Sequence, residues 1–498
     1  MFELFGTSLV GLLSDPQVLF LLAFGSILGV VFSALPGLNA TLGVAVLLPV
    51  TFTMTPGIGI GFLTAIYIGA MCGGLFGATL LRIPGNPSSV ATTFDGYPLA
   101  QRGFAVKALS TGILANFVGG VLGLLALVAL APVIARFALS FGPYEMTALT
   151  VMAMLLVVTL SSDNVVKGLI AAALGLAVST VGFSPMDGAA RLTFGQVSLT
   201  GGFAVVPVIV GLFAISQVLR EVARKPVKVS VDLDVKGLGV TWREIRDNLW
   251  NMFRSSMVGV WIGVLPGIGS SASSLVAWAV AKQSSKTPEE FGKGSVEGIW
   301  ASESSNNANV GGSLLPLLTL GIPGDAVTAL MIAGFMIHGL QPGPLMFAQQ
   351  PGIISDIYAA FLYATVVVLI FQIATLRIFP RILLVPKYYL LPIMVVLTVV
   401  GAYSADNQSS DVFVMLAFGL VGLVLERFGY PIAVLVLGYI LGPILELNLR
   451  RALTFEGGDL TPFVTRPISA TLIGLTLLAL AYIAYAQFKG RRIHFEDD

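Results

Sequence analysis

Residues 26–37 read Ser-Ile-Leu-Gly-Val-Val-Phe-Ser-Ala-Leu-Pro-Gly, and residues 256–267, which lie 230 positions later, read Ser-Met-Val-Gly-Val-Trp-Ile-Gly-Val-Leu-Pro-Gly. Both stretches are apolar and both end in Leu-Pro-Gly. Because proline removes a backbone donor and glycine loosens the backbone, each motif predicts a break within a helix. We therefore interpret the chain as a duplication whose two copies carry matched helix breaks.

Two further motifs extend the repeat. Ile83-Pro84-Gly85 returns as Ile322-Pro323-Gly324 at an offset of 239, and Ser161-x-Asp163-Asn164 returns as Ser404-x-Asp406-Asn407 at an offset of 243. Offsets that grow slowly and in order indicate a true repeat with small insertions. In membrane proteins, broken helices in paired halves point to a transporter binding site.

The composition is that of an integral membrane protein. Of the 498 residues, 56% are hydrophobic and only 11% are charged, and the mean hydropathy is +0.91. Apolar segments of about 17 to 25 residues, long enough to cross a lipid bilayer, recur along the chain. Met1 to Asp15 contain no Lys or Arg, so no signal peptide is expected. The net charge of +1 gives no sign of nucleic-acid binding, and no nucleic-acid partner is expected. The single cysteine, Cys72, excludes an intrachain disulfide.

The apolar runs predict an all-α polytopic fold with two repeats. The predicted helices of the first half lie near 17–34, 40–52, 58–82, 112–135, 144–160, 166–182 and 203–219. Those of the second half lie near 255–265, 270–281, 297–320, 325–340, 356–376, 388–403, 410–425 and 430–446, followed by an unmatched helix at 467–487. The predicted divisions are a first repeat (1–225), a cytoplasmic linker (226–254), a second repeat (255–450), and a C-terminal helix with a cytoplasmic tail (451–498).

The basic residues orient these segments. The largest cluster lies between the halves, and Lys282, Lys286 and Lys293 follow the second Leu-Pro-Gly, so both flanks of 255–281 are expected in the cytoplasm. That segment must then enter the membrane and return as a re-entrant hairpin. A hairpin and five crossings in each half give two inverted-topology repeats, and the C-terminal helix adds an eleventh crossing. This arrangement leaves 22 of the 27 Lys and Arg on the cytoplasmic side or at its boundary. The five basic residues expected on the opposite side of the membrane are Arg136, Arg191, Arg450, Arg451 and Arg466.

The hairpin tips are the first candidate site. Small polar residues surround the start of each returning half-helix, whose free N–H groups and positive dipole end attract anions. Capping accounts for part of this pattern, but four serines in the five positions 270–274 exceed the needs of one cap. We therefore predict a substrate-binding role. The candidates at the tips are Pro36, Gly37, Asn39, Thr41, Pro266, Gly267, Ser270, Ser271, Ser273 and Ser274.

The Ile-Pro-Gly breaks supply a second group of substrate-binding candidates. Asn86 and Ser88 flank a proline in the first helical position after one break, and Asp325 follows the other. Taken alone, these residues are ordinary helix starts. Their place after a repeated break within an apolar run makes them site candidates.

The most polar run within a predicted span is residues 302–309. Its Glu303, Asn306, Asn307 and Asn309 carry hard oxygen ligands that suit Na⁺ or a proton relay, and Na⁺ is the only metal ion considered. The alternative is that the run forms the aqueous end of its helix. Both interpretations stay open, since the first half has no matching run at 64–71.

Three other features have simpler interpretations. Gly69, Gly73 and Gly77 recur on one helical face and predict close helix packing. Residues 92–98 favour a turn around Asp95, with a gating contact as the alternative. The Asp-Asn pairs at 163–164 and 406–407 predict helix caps. The chain contains no Walker A motif, Gly-x-Ser-x-Gly elbow or HExxH, so neither ATP hydrolysis nor another enzymatic activity is expected.

Several of these motifs together resemble a known family. The chain has a Gly-x-Leu-Pro-Gly motif at 263–267 and a variant at 33–37, an Ile-Pro-Gly-x-Pro-x-Ser segment at 83–89, and Phe-Asp-Gly-Tyr-Pro at 94–98. The combination resembles the large membrane (permease) subunit of the tripartite tricarboxylate transporters, the TctA family. The resemblance covers about residues 20 to 450.

The resemblance implies a bacterial inner-membrane permease that works with a small four-helix membrane subunit and a periplasmic solute-binding protein. Members of the family import carboxylates such as citrate, other di- and tricarboxylates or aromatic acids, by symport with an ion. The expected function is thus secondary active transport of a carboxylate, coupled to Na⁺ or H⁺, with no other cofactor. A homodimer is left open.

Two other functions are considered. A passive anion channel or facilitator could share the architecture, but would not accumulate substrate. An intramembrane aspartyl protease using Asp325 is disfavoured, because catalytic carboxylates work as a close pair and the repeat pairs Asp325 with Asn86. For transport, the inverted repeats suggest that a block with both hairpins moves against the remaining helices, as in an elevator.

Overall fold

The described part of the chain is almost entirely helical. The computed structural model describes residues 2–160, 164–223, 239–384, 387–455 and 457–488. Among these, the strands β1 (Gly182–Phe183) and β2 (Ala190–Arg191) form one short antiparallel pair. Part of the predicted linker (224–238), Asp163 and most of the predicted cytoplasmic tail (489–498) lie outside the described residues.

The helices follow the predicted order. Those before the linker are α1 (Phe2–Ser14), α2 (Pro16–Ala34), α3 (Ala40–Leu47), α4 (Pro56–Leu81), α5 (Val90–Leu99), α6 (Ala105–Ala138), α7 (Pro143–Leu160), α8 (Val165–Ser179), α9 (Val205–Val210) and α10 (Ser216–Ala223). Those after it are α11 (Trp242–Asp247), α12 (Leu249–Val264), α13 (Gly269–Ser284), α14 (Val296–Leu320), α15 (Ala326–Ile337), α16 (Pro344–Gln349), α17 (Pro351–Thr375), α18 (Lys387–Asp406), α19 (Ser409–Arg427), α20 (Ile432–Phe455), α21 (Pro462–Thr465) and α22 (Pro467–Phe488). Short 3₁₀ turns lie at Leu48–Thr53, Pro87–Ser89, Val197–Leu199, Pro288–Glu290 and Phe379–Leu384, and π turns at Ala100–Phe104 and Gly211–Ile215.

Eight helical segments among the described residues are long and apolar enough to cross a membrane. They are Pro16–Ala34, Pro56–Leu81, Pro87–Ala138, Val205–Ala223, Pro351–Thr375, Tyr388–Ala405, Ser409–Arg427 and Ile432–Phe455. Shorter apolar helices, such as Pro143–Val158 and Val165–Ser179, lie between them. An all-α, multi-pass membrane protein is therefore confirmed, whereas the count of eleven crossings stays a prediction.

Most predicted helix bounds agree with the structure, and the exceptions have local causes. Helix α1 and the short helices α11, α16 and α21 were not predicted. The turn predicted around Asp95 is wrong, because Asp95 lies within α5 and the chain bends only after it, at Gly103 (φ +87°). Asn164 caps α8 as predicted. The matching prediction for residues 406–407 is wrong, because Asp406 ends α18 and Asn407 adopts a φ of +54°.

Glycines set the distance between the first hairpin and α4. A Cβ atom on Gly69 would lie 2.0 Å from the carbonyl oxygen of Ser26, and one on Gly73 would lie 2.2 Å from that of Val30. No side chain fits in these spaces, so α2 and α4 touch through their backbones. The predicted packing role of these glycines is confirmed.

The same contacts recur one repeat later. A Cβ atom on Gly312 would lie 2.5 Å from the carbonyl oxygen of Val260, which matches the pair of Gly73 with Val30 at offsets of 239 and 230. Gly29 against Ile66 and Gly259 against Ser305 form a second matched pair, each at 2.2 Å. Helices α12 and α14 therefore pack as α2 and α4 do.

The chain divides into two compact units. The first contains residues 1–135 and 217–401, and the second contains residues 136–216 and 402–498. Both Leu-Pro-Gly hairpins, both Ile-Pro-Gly breaks and the polar run of α14 belong to the first unit. Each unit takes residues from both predicted repeats, so the units divide the chain differently from the duplication.

Ion pairs hold several arginines of the second unit. Arg466 contacts the buried carboxylate of Glu145 at 2.6 Å. Arg191 and Arg450 both contact Glu446, at 2.6 and 3.0 Å. Three of the five basic residues that are expected on the non-cytoplasmic side are thus paired with carboxylates of their own unit.

Candidate functional site

The tip of the first hairpin is held from one side by α10. Gly37 has a φ of +86°, and its carbonyl accepts a hydrogen bond from Nε2 of Gln217 at 2.7 Å. A Cβ atom on Gly37 would lie 2.6 Å from the carboxylate of Glu221. Gly37 is therefore required both by its backbone conformation and by close contact.

Asn39 caps the returning helix of this hairpin. Its Oδ1 accepts a hydrogen bond from the backbone N–H of Leu42 at 2.9 Å, which satisfies one free donor of α3. Pro36 and Thr41 are half-buried beside it. At the first tip, the capping interpretation therefore accounts for Asn39.

The tip of the second hairpin is held by the backbone of the second Ile-Pro-Gly break. The N–H of Gly267 donates to the carbonyl of Gly324 at 2.8 Å. Gly267 and Gly269 have φ values of +83° and +73°, so glycine is favoured at both positions. Pro266, between Leu265 and Gly267, is half-buried.

The serine run does not cap α13. Ser273 and Ser274 are buried and donate to the carbonyls of Ser270 and Ser271, at 2.9 and 2.8 Å, within their own helix. Ser270 and Ser271 are half-buried, and no side chain in the described ranges accepts a hydrogen bond from the first N–H groups of α13. Unlike α3, α13 thus starts with uncapped donors beside two hydroxyl groups.

The two Ile-Pro-Gly breaks also differ in whether a side chain caps the helix that follows. Asp325 forms a capping box with Thr328, accepting from its N–H at 2.8 Å, and its other oxygen accepts a short hydrogen bond from the hydroxyl of Tyr67. Asn86, at the equivalent position, makes no cap and instead places Nδ2 3.1 Å from the sulfur of Met71. Ser88 next to it is buried, and its hydroxyl contacts no hydrogen-bond partner among the described residues.

The structure brings elements of opposite halves together. Helix α3 of the first hairpin packs against α15, which follows the second Ile-Pro-Gly. Helix α13 of the second hairpin packs against the Pro87–Ser89 turn and α5, which follow the first Ile-Pro-Gly. The substrate-binding candidates therefore form two groups, each with one hairpin and the break of the other half.

The polar run of α14 is buried along its whole length. Every residue from Ser302 to Asn309 is at most 2% exposed, which argues against a solvated helix end. Glu303 accepts a short hydrogen bond from the hydroxyl of Thr92 on α5, and the side chains of Asn306 and Asn116 lie within hydrogen-bonding range of its carboxylate. None of the ion pairs among the described residues includes Glu303.

Three of the four predicted coupling residues lie together, and one does not. Asn306 donates to the carbonyl of Met71 at 3.2 Å, and Oδ1 of Asn307 accepts from the thiol of Cys72 at 2.9 Å. Asn309 instead donates to the carbonyl of Gly259 on α12 at 3.2 Å. Asn309 thus faces the hairpin, whereas the others face α4, α5 and α6.

The sequence missed several partners of this cluster. Thr92, Asn116 and Gln372 are buried polar residues of α5, α6 and α17, and each contacts α14 or α4. Asn116, Asn307 and Gln372 line a cavity of about 10 Å³, room for about one water-sized sphere. A polar residue within a mainly apolar helix is a weak signal of a site, and the sequence offers no stronger one at these three positions.

Asp95 is a further contact between the halves. Its Oδ1 accepts hydrogen bonds from the backbone N–H groups of Gly292, Gly294 and Ser295, at 2.8, 3.0 and 2.8 Å. Its Oδ2 accepts from Nε1 of Trp278 at 2.7 Å. Asp95 thereby fixes the start of α14, the helix that carries Glu303.

Comparison with known proteins identifies the family. The model of the tripartite tricarboxylate transporter TctA family matches residues 19–437, a range that includes both hairpins, both breaks and the polar run. The chain belongs to the TctA family. It is thus the large subunit of a tripartite transporter, which implies a small membrane subunit and a periplasmic binding protein as partners, and it points to a transporter and not to an enzyme.

Two relatives from Agrobacterium vitis support the assignment. One, an uncharacterised 52.8 kDa protein in the TAR-I ttuC′ 3′ region, is 36% identical over 476 residues, covering 95% of both chains. The other, an uncharacterised protein in the TAR-II ttuC′ 3′ region, is 39% identical over 242 residues, covering 48% of this chain and all of the relative. No solved structure matches this TctA chain.

Proposed function

We propose that this TctA protein imports a carboxylate (a tricarboxylate, a dicarboxylate or an aromatic acid) across the bacterial inner membrane, driven by a Na⁺ or H⁺ gradient. A periplasmic binding protein delivers the substrate, and a small four-helix membrane subunit completes the complex. The uncapped start of α13 beside Ser270 and Ser271 carries the proposal. Free N–H groups and hydroxyls at a helix start bind a carboxylate without any Lys or Arg inside the membrane.

The substrate site comprises the two groups of candidates described above. Asn39, Thr41 and Asp325 belong to one group, and Ser88 and the serine run belong to the other. The α13 group has more donors without partners, so it makes the main contact with the carboxylate. The α3 group, whose helix starts are capped, shapes the opposite side.

The coupling site is the cluster around Glu303. Its carboxylate is buried without a cationic partner, and an isolated charge inside a membrane protein is costly. Binding of Na⁺ or of a proton removes that cost. Asn306 and Asn307 complete the cluster with Thr92 and Asn116, which replace Asn309 in the predicted set.

The two halves are inverted repeats. The matched glycine contacts of α2 with α4 and of α12 with α14 support a structural repeat, and the paired state of Arg191, Arg450 and Arg466 supports the proposed charge asymmetry. We expect cysteines introduced at 53–57 and at 284–292 to react with membrane-impermeant reagents from opposite sides. Labelling of both from the same side would contradict the topology.

Transport proceeds by an elevator-type movement. All of the candidate residues lie in the first unit, which supports that unit as the mobile body and the second as the fixed one. We expect cysteine crosslinks between the two units to stop transport and to release it on reduction. Full transport in a completely crosslinked sample would refute the elevator.

The decisive experiment is uptake by proteoliposomes that contain this chain and its partners. Citrate, succinate, tartrate and benzoate are tested with and without Na⁺ and pH gradients. We expect at least one to accumulate above its external concentration, and ionophores to abolish the accumulation. Uptake that only equilibrates would instead identify a passive facilitator, and co-purification with the small subunit tests the assembly.

A further inference from the structure

The tip of the first hairpin is attached to α10 by a buried side chain. Nε2 of Gln217 donates to the carbonyl of Gly37 at 2.7 Å, and Gln217 is only 7% exposed. The two residues are 180 positions apart, so the bond joins the tip to the last helix of the first half. It therefore connects a proposed substrate-binding element to a helix that contributes no candidate of its own.

The orientation of the Gln217 amide follows from its neighbours. The guanidinium of Arg220 donates a short hydrogen bond to Oε1 of Gln217, and a guanidinium has no acceptor. Exchanging the O and N atoms of the amide would set two donors together at Arg220 and two acceptors together at Gly37. Nε2 therefore faces Gly37, and Oε1 of Glu221 lies 3.5 Å from the same nitrogen.

Gln217 holds one peptide group of the tip from its carbonyl side. The N–H of the same group, which belongs to Leu38, donates to the carbonyl of Leu35 at 3.1 Å. Both polar atoms of the peptide between Gly37 and Leu38 are thus bonded, and its orientation is fixed. Asn39, the cap of α3, follows directly. The position of the α3 start therefore depends on this peptide.

The π turn before α10 directs Gln217 toward the tip. Residues Gly211–Ile215 form this turn, and α10 begins directly after it, at Ser216. A π turn adds one residue to a helix, so every side chain after it is rotated by about 100° relative to an uninterrupted α-helix. Without this insertion, Gln217 would lie on another face of the helix.

The tip of the second hairpin is held differently. The N–H of Gly267 donates to the carbonyl of Gly324, which is a bond between two backbone atoms. In the described part of the chain, the equivalent N–H of Gly37 makes no backbone hydrogen bond to Gly85. The first tip thus depends on a side chain where the second uses the backbone, and a single substitution can remove its bond.

We propose that Gln217 is a positioning residue of the substrate site, which holds the start of α3 in place for substrate binding. This inference rests on the proposed function and adds to its site a residue that does not touch substrate. Gln217 acts through the carbonyl of Gly37. Loss of its amide leaves that carbonyl without this donor and the start of α3 less firmly held. The affinity for substrate then falls, whereas the movement of the loaded protein does not change.

Two substitutions separate the hydrogen bond from packing. Gln217→Met keeps a side chain of similar length without a donor, and Gln217→Ala removes both. Proteoliposomes with the complete complex are tested for uptake of citrate, succinate, tartrate and benzoate. For each acid that wild type transports, both variants are expected to raise KM by about 2- to 12-fold, the range for one hydrogen bond, with little change in the maximal rate.

Tyr363→Phe is the matched control. The hydroxyl of Tyr363 donates to the carbonyl of Leu19 at 3.0 Å, so this variant removes a similar bond from the other end of the same hairpin. It is expected to leave KM unchanged. Hydrogen–deuterium exchange of residues 35–42 is a readout that needs no transport, and it should be faster in both Gln217 variants than in wild type or Tyr363→Phe.

A wild-type KM in Gln217→Met would overturn the inference, because packing would then suffice. A lower maximal rate with unchanged KM would also overturn it, as would unchanged exchange at the tip or an equal rise of KM in Tyr363→Phe. In wild type, a transported acid is expected to slow exchange of residues 35–42, and no change would contradict a tip at the substrate site. Failure of wild type to move any of the four acids would instead count against the proposed function, and the exchange rates would still decide whether Gln217 holds the tip.

Discussion

Helices α4 and α14 are aligned by the sequence repeat and pack against their hairpins through the same backbone contacts, but their centres differ. The middle of α4 is apolar apart from Thr64 and Tyr67, whereas the middle of α14 carries Glu303 and three asparagines. The duplicated glycines therefore preserve the close backbone packing of α2 with α4 and of α12 with α14, which we call the frame. The side chains in the middle of α4 and α14 have diverged. Packing is shared between the halves, whereas binding and coupling are unevenly divided.

The largest effects are expected where the frame itself is changed. Gly73→Ala and Gly312→Ala place a Cβ atom 2.2 and 2.5 Å from a carbonyl oxygen of the neighbouring hairpin. Each is expected to lower the free energy of unfolding by about 3 kcal/mol, the upper end for overpacking. Thermal unfolding of the purified protein in detergent measures this. Gly474→Ala, with nothing within 4 Å, should cost nothing, and a harmless Gly312→Ala would show that the frame is not shared.

The next largest effect on stability is expected at the start of α14, in contrast to the start of α4. Asp95 accepts three backbone N–H groups at the start of α14, whereas Thr55 at the start of α4 makes no capping hydrogen bond. Asp95→Asn sets an N–H₂ group against donors and should cost about 2 kcal/mol. Exposed Thr55→Ala should change the unfolding free energy by less than about 0.5 kcal/mol. Equal melting temperatures for the two variants would contradict this difference.

The two Ile-Pro-Gly breaks provide a finer comparison. Asp325→Ala removes a capping box and the acceptor of Tyr67, so it should cost about 2 kcal/mol. Asn86→Ala removes one contact to a sulfur atom and should cost less than about 1 kcal/mol. Asp325→Asn keeps an acceptor for Thr328 and should preserve the fold and most transport. Complete loss of activity in Asp325→Asn would contradict this expectation and would favour an enzymatic role for this carboxylate.

The smallest change in stability is expected at the hairpin tips. Asn39→Ala removes the cap of α3 and should cost about 1 kcal/mol. The double substitution Ser270→Ala with Ser271→Ala removes no hydrogen bond seen among the described residues, so the melting temperature should hold. Because these hydroxyls are proposed to contact substrate, KM for uptake should rise. An unchanged KM would remove them from the binding site.

Much of the fold could be predicted from the sequence because helix breaks in an apolar chain are local signals. Leu-Pro-Gly and Ile-Pro-Gly correctly located the ends of α2, α4, α12 and α14. The prediction failed at α5, where Gly96 and Pro98 suggested a turn. A proline near the end of a helix needs only a few adjusted hydrogen bonds, and here a π turn follows it.

The site could be predicted only in part because its contacts are distant along the chain. The polar run of α14 stood out within an apolar sequence, but Thr92 and Asn116 join it from about 190 to 210 positions away. No local pattern reveals such pairs. Asn309 could have been separated from Glu303, since six residues at about 100° each place it on another face of the helix.

The buried thiol of Cys72 has a practical consequence. It is the only cysteine in the chain, and it donates to Asn307 at the centre of the Glu303 cluster. The protein therefore has a single thiol for labelling, and it lies at this position without any substitution. Because the thiol is buried between α4 and α14, a maleimide or a fluorinated probe can react with it only when these helices separate. Its reaction rate, with and without substrate, would measure how often the packing between α4 and α14 opens within the first unit, and no residue needs to be substituted.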